Sequence, residues 1–474
     1  MQTLPLTVVS VEDRARVDEL RLRLRLLRGE HELDVQQALT ALFGLDRGEV
    51  MRKAVDLAAN AYPDVHNQLA ALYHYAPRVD GPFDDVLVAV ERAGHWTQMV
   101  IGQRDTLALG DIAVIAAVQN GRVQLRTVTP DLWRDDIRPK RNDPKALAYW
   151  AGWLPSGSSW ELWEYEVEDV EGNPSGWCRR RTVQEVEQHA EGAKAELTTK
   201  DPLGELVMPV VLYHHADTGT LMDWKSGRDV TRGAMRIILY MTHIGHVIAE
   251  AAWPQRVLID GEVVSGAETV SEGGRQVIIA DPAIVMQIRS AEGKQALVTS
   301  WTQGADVEAL FRVVAMYTKN VLTRAGVRTP EATRSESDIR SGYSLAVSRE
   351  AVAEAQAIFA PVFRRSDQLL LHTVALLMGK PSPMPEVWNV DYQAVELGAA
   401  ELTSRATAAE SLMAGGLMSR RTALFFLHPG WDARRVDTEL AAIDAEPKPA
   451  SPTPPTPATL PPSPPADAGA QLGA

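Results

Sequence analysis

The sequence predicts an α+β fold, and three observations carry that reading. Between residues 11 and 75 apolar side chains recur every three to four positions (Leu39, Leu42, Phe43, then Val50, Ala54, Leu57, Ala58), the period of a helix with one buried face. Between 84 and 182 the pattern changes to short apolar runs punctuated by Gly, Asn-Gly and Pro, as in strands joined by tight turns. Beyond residue 229, long helical stretches flank a β-rich insert.

Taken in order, residues 20–29 (LRLRLRLLRG) alternate like a strand, but their helical flanks and long side chains favour a helix. VLVAVERAG, WTQMVIG, IAVIAAVQNG and VQLRTVTP, within 84–130, read as strands. Residues 131–182 continue in that style and hold six of the twelve tryptophans: Trp133, Trp150, Trp153, Trp160, Trp163 and Trp177. Such a cluster can stack sugars or bases, but the area each indole buries favours the core of a small sheet domain. VMPVVLYHH is a further strand. A long helix follows over 231–253, with Asp229 or Thr231 as cap, and a second runs over 306–325, closed by Gly326. The insert between them has turn signals at Asp260-Gly261 and Gly273-Gly274. A polar loop (327–342) leads to a third long helix, 343–378, broken near Pro361. EVWNVDY reads as a strand, and 394–445 as helical.

The 474 residues allow about three domains. Residues 447–474 contain 10 prolines and little to bury, so they read as a disordered tail. The net charge of −14 argues against a protein that coats nucleic acid by neutralising phosphates, though not against DNA passing nearby. The single Cys178 excludes an intrachain disulfide framework and a multi-cysteine zinc site. The N-terminus lacks the basic start and apolar core of a secretory signal. The most apolar stretch, 237–253, carries His243, His246 and Glu250, and so reads as a buried or assembly-facing helix rather than a membrane span.

Enzyme signatures are scarce. The sequence has no phosphate-binding loop, no G-x-G-x-x-G, no G-x-S-x-G and no H-E-x-x-H. Neither a catalytic function nor a cofactor is expected. The alternative is a metal-dependent hydrolase using His214, His215, His243 and His246. Against it, His214 and His215 adjoin on a strand and would point to opposite faces. In the loop 327–342, Arg328, Arg334 and Arg340 stand against Glu331, Glu336 and Asp338. A solvated loop and a functional loop both fit that mixture.

The order of elements resembles the portal protein of tailed double-stranded DNA bacteriophages, the siphophage-like type also found in prophages and gene-transfer particles. RLRLLRGEHEL and VMRKAVDLAANAYP resemble its N-terminal helices, with Leu27 where an aromatic is usual. VQLRTVTPDLW and LGELVMPVVLYHHADTG resemble two wing strands. RSGYSLAVSREAVAEAQAIFAPVF resembles the start of the long wing helix: Ser341, Gly342 and Leu345 fit, while Ser344 replaces an Ala. ELTSRATAAESLMAGGLMSRRTALFFL and DTELAAIDAE resemble the crown and its closing segment.

The resemblance implies an α/β wing (1–228, with the long helix 343–378), a two-helix stem (229–253 and 305–326), a β-rich clip (254–304), a tunnel loop (327–342) and a helical crown (379–446). It implies a homo-oligomeric ring, twelve subunits at one capsid vertex of the virion, assembled in the host cytoplasm, with double-stranded DNA running down the axis. The tunnel loop would present Arg328, Glu331, Arg334, Glu336, Asp338 and Arg340 to DNA. Asp260, Gly261, Glu262, Gly273, Gly274 and Arg275 of the clip would meet the terminase large subunit and then the head–tail adaptor. Major capsid and scaffold proteins would surround the ring, and no membrane is involved. An acidic channel would let the duplex slide. A capsid scaffold protein without a channel is the third reading.

Overall fold

The computed structural model describes residues 11–52, 55–141, 143–170, 173–252, 255–259, 261–265, 268–272, 275–279, 287–290, 297–301, 306–327, 342–393, 399–428 and 433–445. It is a mixed helix-and-sheet structure, and the chain divides into two units, Met1–Glu396 and Leu397–Ala474.

The first unit opens with α1 (Val11–Arg28), where Leu20, Leu24 and Leu27 are buried at helical spacing while Gly29, at φ 76°, ends the helix. The alternating Leu and Arg therefore form a helix, as favoured. α2 (Glu32–Arg52), interrupted at Gly44, and α3 (Tyr62–Leu69) follow, then the short strand β1 (Arg78–Asp80).

The strands expected at 86–94 and 96–102 are instead two helices, α4 (Asp84–Arg92) and α5 (His95–Leu109). Valine and isoleucine content suggested strands, but burial follows a helical period. Val86 and Val90 lie four apart in α4, and Met99, Gly102, Gln103 and Thr106 share a buried face in α5. Asp84 and Asp85 occupy the first turn, where acidic groups favour a helix. Gly94, at φ 72°, makes the corner between the two.

β2 (Asp111–Gln119) and β3 (Arg122–Val128) form a hairpin across Asn120 and Gly121, both at positive φ (52° and 72°) as a tight two-residue turn requires. Next come β4 (Arg138–Pro139), β5 (Leu147–Ser156), β6 (Ser159–Val170) and β7 (Asn173–Thr182). The one-turn helix α6 (Val183–Glu187), with a Thr182–Glu185 capping box, leads to β8 (Lys194–Glu196) and β9 (Val210–His214). Two antiparallel sheets result, ordered β3-β2-β9 and β4-β5-β6-β7-β8. Ala113, Ile115, Val210 and Leu212 of one pack with Trp150, Trp163 and Tyr165 of the other and with Trp133. A smaller cluster holds Tyr149, Trp153, Trp160 and Leu162. The tryptophan-rich region is thus a core, since five of its six indoles are buried and Trp177 is half-buried.

α7 (Arg228–Ala252) and α8 (Val307–Arg324) bracket six strands: β10 (Gln255–Ile259), β11 (Gly261–Ser265), β12 (Glu268–Glu272), β13 (Arg275–Ile279), β14 (Gln287–Ser290) and β15 (Leu297–Trp301). The pairing is nested: β12 with β13, β11 with β14, β10 with β15, all antiparallel. The Gly-Gly signal falls between the paired β12 and β13. The Asp-Gly signal instead marks a junction between β10 and β11, which do not pair.

α9 (Gly342–Leu377) runs unbroken through Pro361, against the expected break. An internal proline costs about 3 kcal/mol, but the turns beyond it bury Phe363, Leu370, Leu371, Val374 and Ala375 completely, and that burial outweighs the loss. β16 (Asn389–Asp391) pairs with β1, so residues up to 393 that the sequence grouped with the C-terminal part belong to the first unit. The second unit holds α10 (Ala399–Ala414), α11 (Arg420–Leu427) and α12 (Ala433–Ala445). Gly416 at φ 70° follows α10, and the Ser419 hydroxyl caps α11 by accepting from the Thr422 N–H.

Candidate functional site

The helix pair α7–α8 carries apolar and basic surface that its own fold leaves uncovered. α8 is held at both ends. The Asp306 carboxylate accepts from the Ala309 N–H at 3.0 Å, and Gly326 at φ 80° follows the last turn. α7 buries Val230, Ala234, Ile237, Ile238, Ile244 and Val247, while α8 contributes Val314 and Val321. The two helices meet closely: a Cβ on Gly233 would stand 2.7 Å from Val321 Cγ2. Tyr240 and Tyr317 meet edge-on at 5.9 Å. The pair also rests on earlier elements through Phe43 stacked on His243, and through the Asp56 N–H donating to Thr242 Oγ1.

Apolar side chains remain exposed around this pair: Tyr240 and Ile248 on α7, and Phe311, Val313 and Met316 on α8. Arg232, Arg236, Lys319 and Arg324 are exposed too, with no ion-pair partner among the described residues. Against these four cations stand two exposed acids without an ion-pair partner among the described residues, Asp229 and the capping Asp306, so the acidic balance of the whole chain is not reproduced on this pair.

The loop residues Arg328, Glu331, Arg334, Glu336, Asp338 and Arg340 lie outside the described residues, as do Ser341, Asp260, Gly273 and Gly274. Gly342 is the first residue of α9, and Leu345 lies in its first turn. Gly261 opens β11, Glu262 stands opposite Arg289, and Arg275 stands opposite Glu272.

The four histidines of the hydrolase alternative make separate contacts. His214 Nδ1 lies 2.7 Å from Asp111 Oδ1, whose other oxygen accepts from the Asp223 N–H. His215 bridges the Gly110 carbonyl and the Ser226 hydroxyl. His243 stacks on Phe43, four helical turns away from the α7 N-terminus, and His246 follows on the same helix. Among the described residues no group of three or more His, Cys, Asp or Glu is placed to hold a metal.

Sequence reasoning missed a polar cluster at the root of α9. Asp367 is fully buried and accepts from three tyrosine hydroxyls: Tyr73 at 2.7 Å, Tyr213 at 2.8 Å and Tyr392 at 2.6 Å. His95 Nε2 stands 3.5 Å from the same carboxylate. Burial, then the adjoining Asp367 charge, pushes all three hydroxyls well above the usual tyrosine range, so they act as donors. Ser366 donates to the Leu212 carbonyl, Arg364 to that of Val390 and Gln368 to that of Trp388, which fixes α9 against β9 and the β16 segment. The available signal was a lone acid in the apolar run 366–377. Beside α9 lies a cavity of about 600 Å³ between β9 and the loops around residues 140–147 and 201–208.

No family model matches the chain, and no curated protein matches it. Among solved structures the chain is similar to a chain of one described as "Virion of native gene transfer agent (GTA) particle". They are 11% identical with a TM-score of 0.41, over 84% of this chain and 99% of that one. Among the described residues no helix is long and apolar enough to cross a membrane.

Proposed function

We propose that this chain is the portal subunit of a tailed double-stranded DNA phage or a related particle. It would assemble as a ring, about twelve-fold, at one capsid vertex of the virion. The observation that carries the reading is the order of elements. A close-packed helix pair is interrupted by a nested antiparallel ribbon, and a 36-residue helix follows that begins at Gly342. This order agrees with the run of portal-like segments in the sequence.

In this reading α7 and α8 form the stem. Phe311, Val313, Met316, Tyr240 and Ile248 pack against neighbouring copies, since an exposed apolar helix face is an association surface. Arg232, Arg236, Lys319 and Arg324 then meet either acidic groups of a neighbour or, around the axis, the phosphates of passing DNA. A few cations per subunit, diluted by the acidic remainder of the chain, give transient contacts that salt weakens, and the duplex can move. The ribbon offers backbone edges and turns to the terminase large subunit during packaging, and to the head–tail adaptor afterwards. Major capsid and scaffold proteins contact the outside of the ring. The chain itself is not an enzyme and binds no cofactor, because the ATP chemistry belongs to the motor.

Mass photometry of the purified full chain tests this. Rings of about 620 kDa, twelve times the 51.9 kDa subunit, are expected, with an open centre in negative stain. A strictly monomeric particle at micromolar concentration would sink the proposal, and closed particles without a channel would favour a scaffold protein instead.

A further inference from the structure

Three arginines on the paired sheets are left without a role by the fold. Along β7, Arg179, Arg180 and Arg181 point alternately to opposite faces. Arg179 and Arg181 both clamp the buried Glu164, at 2.8 and 2.9 Å. Arg180, on the other face, is exposed and lies 3.9 Å over the ring of Trp163. Arg126 of β3 reaches the same ring from the opposing sheet, at 5.0 Å. The two guanidinium carbons therefore lie within about 9 Å of each other, held by cation–π contact with one indole. Arg122 is four residues back on β3, on the same side and about 13 Å away. All three are exposed, and none has an ion-pair partner among the described residues. β3 is also an edge strand of its sheet.

We propose that the edge of β3 with Arg122, Arg126 and Arg180 is a docking surface for an extended, acidic polypeptide segment of a partner protein. Charge complementarity identifies the occupant. The chain as a whole is acidic, with a net charge of −14, but on this face three unpaired arginines attract carboxylates locally, within a Debye length of about 8 Å. The spacing of Arg122 and Arg126 equals four residues of strand, so an extended partner with acids at i and i+4 matches both. The aromatic ring pre-positions two guanidiniums, so less side-chain freedom is lost on binding.

Nucleic acid fits this surface less well. Trp163 is only 6% exposed and cannot stack a base. Three cations also release few counterions, too few for firm duplex binding at physiological salt.

The experiment titrates the full chain against fluorescein-labelled decaglutamate and, separately, against a labelled 20-base-pair duplex, with anisotropy as readout. Decaglutamate is expected to bind, more weakly as salt rises. R126A/R180A should weaken binding about tenfold and R122A about threefold, while R126K/R180K keeps most of it. The control R92A/K200A, at exposed cations elsewhere, should leave it unchanged. Thermal melts accompany each variant, and the single charge reversal R180E gives a second reading if the double variant folds poorly. Three results overturn the proposal: no decaglutamate binding by the parent chain, equal loss in the control variant, or duplex binding through the same arginines in preference to the peptide.

Discussion

At the residue scale, burial decides what individual charges do. His66 is buried with both ring nitrogens unpaired, and burial, assisted by the Arg23 and Arg104 charges, lowers its pKa to about 3. Unfolded histidine titrates near 6.5, so the unfolded chain takes up a proton that the folded chain refuses. Stability from this group is complete above about pH 6.5 and declines as pH falls toward 3. His66→Phe, which keeps an aromatic ring against Tyr62, is expected to flatten the melting temperature between pH 6.5 and 4. An unchanged slope would show that other groups set it. Glu164 loses stabilisation in the same direction, on acidification, but for a different reason. Burial raises its pKa, but hydrogen bonds from Arg179 and Arg181 outweigh that and hold it below the usual glutamate value. Its stabilisation is present at neutral pH and lost as pH falls below the glutamate range. Glu164→Gln should destabilise by about 3 kcal/mol in urea titration, because it leaves two arginines facing a neutral amide. Asp367→Ala strands three buried hydroxyls and is expected to cost at least about 3 kcal/mol by the same measurement.

At the element scale, local signals were read correctly where local chemistry decides. Asp306 and Gly326 bound α8 as their capping chemistry requires, and Asn120-Gly121 turns the hairpin between β2 and β3. Reading failed where tertiary burial decides. The valines and isoleucines of 84–109 fit strand or helix, and only the packing face distinguishes them. Pro361 marks a break that the buried turns around it override. Asp367 finds Tyr73 across 294 residues and Tyr213 across 154, separations at which no local pattern operates. A test at this scale is Gly233→Val. The added Cβ would collide with Val321, so α7 and α8 must separate. A lower melting temperature is expected, together with a loss of the proposed ring assembly. An unaltered melt would mean that the helices approach less closely than described.

At the scale of the whole molecule, the question is whether the exposed apolar face of α7 and α8 is covered by further copies of the chain. Phe311→Asp with Met316→Asp changes only exposed positions, so the subunit should keep its melting temperature while, if the proposed ring forms, mass photometry shifts from it toward 51.9 kDa. Rings that persist undiminished would place the contacts elsewhere. The overall layout was partly legible: the helix pair around a β-rich insert, and with it the mixed α+β class, follows from hydrophobic periodicity together with turn and capping signals. The patch around Trp163 was not, because Arg126 and Arg180 come from different sheets and their meeting on one indole is a product of sheet packing.

The nested ribbon has a kinetic consequence. α7 and α8 are separated by more than fifty residues, a costly loop if it had to close at random. β12 and β13, however, are two residues apart and can pair first, within about 1–10 μs for a hairpin. Each closure then shortens the next: β11 meets β14 over the hairpin already made, and β10 meets β15 over both. By the time the outermost strands have zipped, the end of one helix and the start of the other have been drawn together as if only a short turn separated them. The insert thereby gives a sequence-distant helix pair the folding order of a local one.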